Sequence, residues 1–380
     1  MNIPRVVTSR PANATGFSLY LDALRVMAAI GVLMSHLRLL QIGPAALRNY
    51  LPGFGHEFVV VFFVLSGYVI AAAVERKRDA SIADYGLDRF SRIYSVALPA
   101  LLLSTAVSFS LSVMGGEHAN GAGSHAQILS GLLWNLPMLG QFWFVDNVPP
   151  SNPPVWSLCY ESMYYALFGC VMYLRGWRRW FSTLLVAALA GPKVLLLMPC
   201  WLVGVAVYHL RDRWPMKRWA AIFTGVVLPA IVFLAMSKLQ LGRVLIDWGS
   251  GTAPGLGIDL ARSASYPKDF VTALLVGLNL YAIRTLDLEW GRRFALWVRA
   301  CAALTFTLYL LHYPALLIVK AAFGAASASV SALAVALGLV VCITYFIGSI
   351  TELKLPALRL KLRMVCQRVG VLPPRPTRPE

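Results

Sequence analysis

Ten apolar runs, most of them close to twenty residues long, follow one another along this chain with little between them that could serve as a soluble surface. A helix needs about 20 mostly apolar residues to cross the hydrocarbon of a bilayer. The runs lie near 18–37, 56–74, 93–113, 155–174, 181–191, 193–210, 219–237, 270–284, 299–320 and 328–351. The stretch 181–191 is too short alone, and Gly191 and Pro192 break it from the next run, which suggests a tight hairpin. The expected fold class is therefore all-α, a polytopic membrane bundle of about ten transmembrane helices. Composition agrees. The chain is 58% hydrophobic and 13% charged, whereas soluble domains carry about a quarter charged residues. Its mean hydropathy of +0.66 is too high for a water-exposed surface.

Residues 128–144 (ILSGLLWNLPMLGQFWF) admit three readings: an eleventh span, a re-entrant segment or an interfacial helix. Charge bears on the first of these. With the N-terminus inside, about three-quarters of the 34 Lys and Arg residues fall in the inward segments. They include Arg5 and Arg10, the groups at 75–92, 175–180, 211–218 and 284–299, and the tail. Residues 114–154 hold no Lys or Arg. The positive-inside rule then places both termini in the cytoplasm and argues against 128–144 crossing. It also accounts for the net charge of +17, which leaves no need for a nucleic-acid partner. The expected organisation is a cytoplasmic segment 1–17, a transmembrane domain 18–352 and a basic cytoplasmic tail 353–380.

The six cysteines show no CxxC pair and no metal-ligand spacing, so neither a disulfide framework nor a metal is expected. The first apolar run carries Asp22, Arg25 and His36, which a cleavable signal core would not tolerate. The Pro-rich end 371–380 reads as disordered.

Ionisable residues inside spans are costly and usually face a cavity or a partner. Arg25 and His36 are eleven residues apart. Eleven residues advance a helix by about 1100°, roughly 20° from three full turns, and rise about 16–17 Å. The two side chains therefore share a stripe at different depths. They read either as a snorkelling Arg and a hydrogen-bonded core His, or as an anion clamp below a proton acceptor. Asp22 is placed to pair with Arg25. Arg89 and Arg92 share one face at the mouth of the third span, as a positive-inside anchor or a phosphate clamp. Glu161 lies about two turns inside the run that opens PPVWSLCYE, at a depth that could reach His36. Trp156, Tyr160, Tyr164 and Tyr165 form an interfacial belt or a sugar-stacking wall. Tyr309 and His312 sit mid-span beside Pro314, with a cross-helix hydrogen bond the plain role for the imidazole. His56, His118, His125 and His209 read as loop or edge residues. A transporter using Arg25, His36 and Glu161 is the main rival to an enzyme, although no inverted repeat is visible.

Five of these segments, in order, resemble the acyltransferase-3 family of membrane-bound acyltransferases. They are LDALRVMAAIGVLMSHL, FVVVFFVLSGYVI, RFSRIY, VWSLCYESMYYALF and TFTLYLLHYPAL, and TELKLPALRL is similar to the family's ending. The resemblance implies an O-acyltransferase that moves an acyl group, commonly acetyl from acetyl-CoA, onto a sugar hydroxyl. The acceptor would be a cell-surface polysaccharide or exopolysaccharide, or its lipid-linked precursor. His36 would be the catalytic base and Glu161 a second catalytic residue, at a position where the family often has two consecutive acids and this chain has Ser162 next. Arg25, Arg89 and Arg92 would hold the coenzyme A phosphates or line the acyl path. Trp156, Tyr160, Tyr309 and His312 would meet the acceptor. The enzyme would sit in a bacterial inner membrane, and the membrane core would act without an appended esterase-like domain.

Overall fold

The computed structural model describes residues 16–77, 80–115, 122–239, 241–255, 260–286 and 288–370. Arg5, Arg10, His118 and the Pro-rich end 371–380 lie outside the described residues. Within them the chain is all-α, with no strand. The principal helices are α1 (Gly16–Leu39), α2 (Gly55–Arg76), α3 (Ile82–Met114), α4 (His125–Asn135), α5 (Trp156–Tyr173), α6 (Gly176–Ala190) and α7 (Pro192–Leu210). A further helix, α8, begins at Arg218–Ile222, loosens into a π turn at Phe223–Val227 and continues as Leu228–Lys238. There follow α9 (Leu241–Gly255), α10 (Tyr266–Arg284), α11 (Arg292–Ala302), α12 (Thr305–Phe323), α13 (Val330–Ile350) and α14 (Leu355–Arg368). Among the described residues, seven helical stretches are long and apolar enough to cross a bilayer. The helices α5, α6 and α10 fill the other three expected runs but are shorter or more polar.

Three boundaries differ from the sequence reading, each for a local reason. The helix α3 starts eleven residues early because Ser81 and Asp84 form a reciprocal capping box, with Ser81 Oγ accepting from the Asp84 amide. Arg89 and Arg92 thus stand on the helix and not in the preceding loop. The run 299–320 is broken at Ala303 and Leu304, where α11 ends and α12 begins. The stretch 128–144 is helical only to Asn135, the end of an 11-residue helix about 16 Å long, too short to cross. Gly191, at φ 78°, makes the turn between α6 and α7.

The helices α2 and α12 form the centre: 61% of the apolar window of each is buried, against 11% for α8. Two glycines let α2 and α7 touch backbone to backbone. A Cβ at Gly67 would stand 2.1 Å from the Trp201 carbonyl oxygen, and one at Gly204 would stand 1.9 Å from that of Val64. Close approach through small residues is the usual way helices associate in lipid, where the hydrophobic effect gives no help. Beside this contact Ser66 bonds the Tyr165 hydroxyl at 3.1 Å and accepts from Trp201 Nε1 at 3.2 Å. Each polar member of the FFVLSG run therefore has a structural task. Leucine, valine, phenylalanine and tyrosine side chains on α3, α6 and α13 point outward and remain exposed, as lipid-facing surfaces do.

Candidate active site

Among the described residues, two of the cavities lie one above the other along α1. The first, about 320 Å³, is lined by Arg25 of α1, Arg89 and Arg92 of α3, Glu161 and Tyr165 of α5, and Arg359 of α14. The second, about 500 Å³, is lined by His36 and Arg38 of α1, His56 of α2, Trp156 of α5 and Arg262. Val59 and Tyr309 line both. The stripe bearing Arg25 and His36 thus serves two chambers that meet at Val59 and Tyr309.

The arginine chamber is a network of ion pairs. Arg25 stands 3.6 Å from Asp22, Arg92 is 3.1 Å from Glu352, and Arg359 is 3.1 Å from Asp88. Glu352, nearly buried, also accepts from the amide and hydroxyl of Thr307 at the start of α12. Arg89 has no carboxylate beside it among the described residues. Its guanidinium lies between the rings of Tyr85 and Tyr165, each centroid 5.8 Å away, and its Nε is buried without a hydrogen-bond partner. Glu161 accepts a hydrogen bond from Tyr165 one turn along the same helix. It therefore belongs among the guanidiniums and is not the partner of His36. Depth along a helix was readable from the sequence; the direction in which the carboxylate turns was not.

In the histidine chamber the partner of His36 is another imidazole. His36 Nδ1 lies 2.9 Å from His312 Nε2, and His312 Nδ1 lies 3.1 Å from the carbonyl oxygen of Leu308. A carbonyl can only accept, so His312 Nδ1 carries the proton and its Nε2 accepts. His36 Nδ1 must then donate, which leaves His36 Nε2 as the nitrogen with a free lone pair. His312 is fully buried and lines neither chamber, so it does not meet an acceptor directly. A second imidazole, missed in the sequence, shares the chamber. His56 Nε2 is 2.9 Å from Oδ2 of the wholly buried Asp269, 213 positions away, and its ring stacks on Trp156 at 5.4 Å with planes 5° apart.

The aromatic residues of α5 are neither an interfacial belt nor, for the most part, a sugar-binding wall. Tyr160 is fully buried, lines neither chamber and bonds Ser263 Oγ at 2.9 Å. Tyr164 is equally buried and donates to the Val194 carbonyl. Only Trp156 reaches the histidine chamber. Tyr309, on the shared wall, is held by Ser157 Oγ at 2.8 Å and donates to the Pro154 carbonyl at 3.1 Å. Pro314 shapes this region by what it lacks. With no amide hydrogen it leaves the Leu310 carbonyl unbonded within α12, and Asn152 Nδ2 fills that position at 2.8 Å. The helix carrying both Tyr309 and His312 is thereby tied to the loop that leads into α5.

Arg359 and Glu352 could not be recognised from sequence, since they meet their partners on α3, Asp88 and Arg92, across 271 and 260 positions. The helix α14, read as part of a basic tail, packs along α3 through Arg359–Asp88 and Arg363–Asp84 and completes the arginine chamber.

No curated protein and no solved structure matches this chain at a significant level. A family profile described as an acyltransferase domain does, over residues 18–349, the whole bundle from α1 to the last turn of α13. With this match running through both chambers, the chain belongs to the acyltransferase-3 family and is an integral membrane acyltransferase.

Proposed function

We propose that the protein transfers an acetyl group from acetyl-CoA to a hydroxyl of a sugar, with the donor held in the arginine chamber and the acceptor in the histidine chamber. The observation that carries this reading is the imidazole pair. Its hydrogen-bond order fixes His36 with a bare Nε2 in a chamber that abuts a cluster of four guanidiniums.

The donor's phosphates suit the arginine chamber. Guanidiniums bind phosphate oxygens with several donors in a fixed plane, and the unpartnered Nε of Arg89 is a donor still to be satisfied. Arg25, Arg92 and Arg359 are held in place by their carboxylates and so need little ordering when an anion arrives. Glu161 sits among these cations and limits their mutual repulsion. In this reading it orients the site and is not a proton carrier.

Acyl transfer then needs one proton moved twice. His36 Nε2 takes the hydroxyl proton as the acceptor oxygen attacks the thioester carbonyl carbon. The C–S bond breaks, and the imidazolium returns the proton to the departing thiolate. His312 accepts from His36 Nδ1 throughout, so the positive charge formed on His36 is shared with a second ring and ultimately faces the Leu308 carbonyl. A positioned base of this kind contributes about 10²–10⁴-fold. Bringing thioester and hydroxyl into contact where the two chambers meet, beside Val59 and Tyr309, supplies the proximity term.

The bias of basic residues puts the arginine end toward the cytoplasm, where acyl-CoA is made, and the histidine end outside. The acceptor is then a surface polysaccharide, exopolysaccharide or lipid-linked precursor, and the membrane is a bacterial plasma membrane. The core 18–352 does the chemistry, with α14 from the 353–380 segment lending Arg359. The test is release of coenzyme A by the full chain in lipid nanodiscs, with acetyl-CoA and a panel of glycans. Acceptor-dependent release that is lost in His36→Ala supports the reading. A His36→Ala protein that still acetylates at the wild-type rate would sink it.

A further inference from the structure

We infer that the acceptor is anionic: the histidine chamber is built to take a sugar bearing a carboxylate or a phosphate. The inference rests on the acyl-transfer reading for the word acceptor, but its argument is electrostatic and stands on the chamber alone.

Two guanidiniums line this chamber, Arg38 and Arg262. Neither has a carboxylate partner among the described residues. Arg38 gives one hydrogen bond to the Leu51 carbonyl at 2.9 Å, and Arg262 Nε is buried with no partner at all. No described carboxylate lines the chamber. Two acids on the surrounding helices have partners of their own: Asp269 is bonded to His56 Nε2, and Glu57 meets Lys268 at 2.8 Å. The chamber therefore keeps the positive charge of both arginines. Arg38 stands exposed at the rim, so the unpaired charge held within the bundle is that of Arg262; keeping it there is costly, and low-dielectric walls concentrate its field on whatever enters.

The neutral side chains point to the same conclusion. A site for an uncharged sugar needs hydroxyls and amides with spare hydrogen-bonding capacity. Here Ser35 donates to the Val32 carbonyl, the Tyr309 hydroxyl is taken up by Pro154 and Ser157, and the face of Trp156 is covered by His56. No Asn or Gln lines the chamber. The side chains left with open donors or acceptors are the two guanidiniums, the Trp156 indole N–H and the free nitrogens of two imidazoles, and of these the guanidiniums alone carry a fixed charge. Guanidiniums offer planar pairs of donors that match a carboxylate or a phosphate. A uronate residue in the glycan and the phosphate of a sugar phosphate present the same chemistry, and the probes below separate them.

The experiment measures binding, so it does not depend on turnover. The full chain in nanodiscs is titrated calorimetrically, at low salt, with methyl glucoside, methyl glucuronide and glucose 1-phosphate. At least one charged probe is expected to bind about tenfold or more tighter than the neutral one, as a charge-assisted contact allows. Raising the salt should shrink the gap. Arg262→Gln should erase it, and Arg262→Lys should restore part of it. Preference for the glucuronide alone identifies a uronate acceptor, and preference for the phosphate alone a phosphate-linked one. Equal affinity for all three probes, no binding of any, or a preference that survives in both Arg262→Gln and Arg38→Gln would overturn the inference. A protein that binds the charged probe yet never transfers an acyl group would refute the enzymatic role while leaving the anion site intact.

Discussion

The two chambers are built from the same kinds of residue by opposite rules. At the arginine end three of four guanidiniums are paired with a carboxylate before any ligand arrives. At the histidine end the guanidiniums are unpaired and the imidazoles carry the internal bonds. Paired charges are rigid and partly neutralised, which suits a site that positions an anion of fixed shape. Unpaired charges keep their field, which suits a site that must draw in a ligand and discriminate among ligands. The difference also separates their expected responses to mutation: one end should govern affinity for the donor, the other the chemical step and the choice of acceptor.

The largest effect should come from His36→Ala. Transfer is expected to fall by about 10³-fold or more, while equilibrium binding of acyl-CoA stays near wild type. A large loss of acyl-CoA affinity in this variant would show that the chambers are not separable. Next is His312→Ala, which removes the acceptor that fixes the His36 tautomer. We expect kcat to drop about 10²-fold with little change in either KM. His312→Gln, whose amide oxygen can accept from His36 Nδ1, should recover part of that loss, whereas a purely structural role for the buried ring would give no recovery. At the other end, Arg89→Gln should raise the KM for acyl-CoA by about tenfold and leave the acceptor KM unchanged. An equal rise in both would erase the division of labour. The smallest effect should be at the shared wall. Tyr309→Phe loses a hydroxyl held by Ser157 and Pro154, at a cost of about 1 kcal/mol in stability, with a several-fold change in rate read by coenzyme A release.

The sequence was most informative where function follows helical geometry. Apolar runs located the helices, and the eleven-residue interval put Arg25 and His36 on one stripe. It was silent wherever a residue's role depends on a distant partner. His312 was visible as a buried imidazole, but its contact with His36 spans 276 positions. His56 looked like an edge residue because nothing near it in sequence announces Asp269. Glu161 was placed at a plausible depth and aimed at the wrong neighbour, since depth follows from counting turns whereas rotation depends on which helices surround it. The aromatics of α5 were drawn toward the membrane surface by composition alone, yet they pack into the interior against α2 and α7.

The glycine contact between α2 and α7 restricts how such a protein can work. Two backbones pressed together without intervening side chains form a seam that a side chain at either glycine would force apart. A carrier that exposes its cargo first to one side and then to the other needs a moving seam through its middle. A relay does not: each substrate keeps to its own compartment, and only a few atoms change hands at the partition.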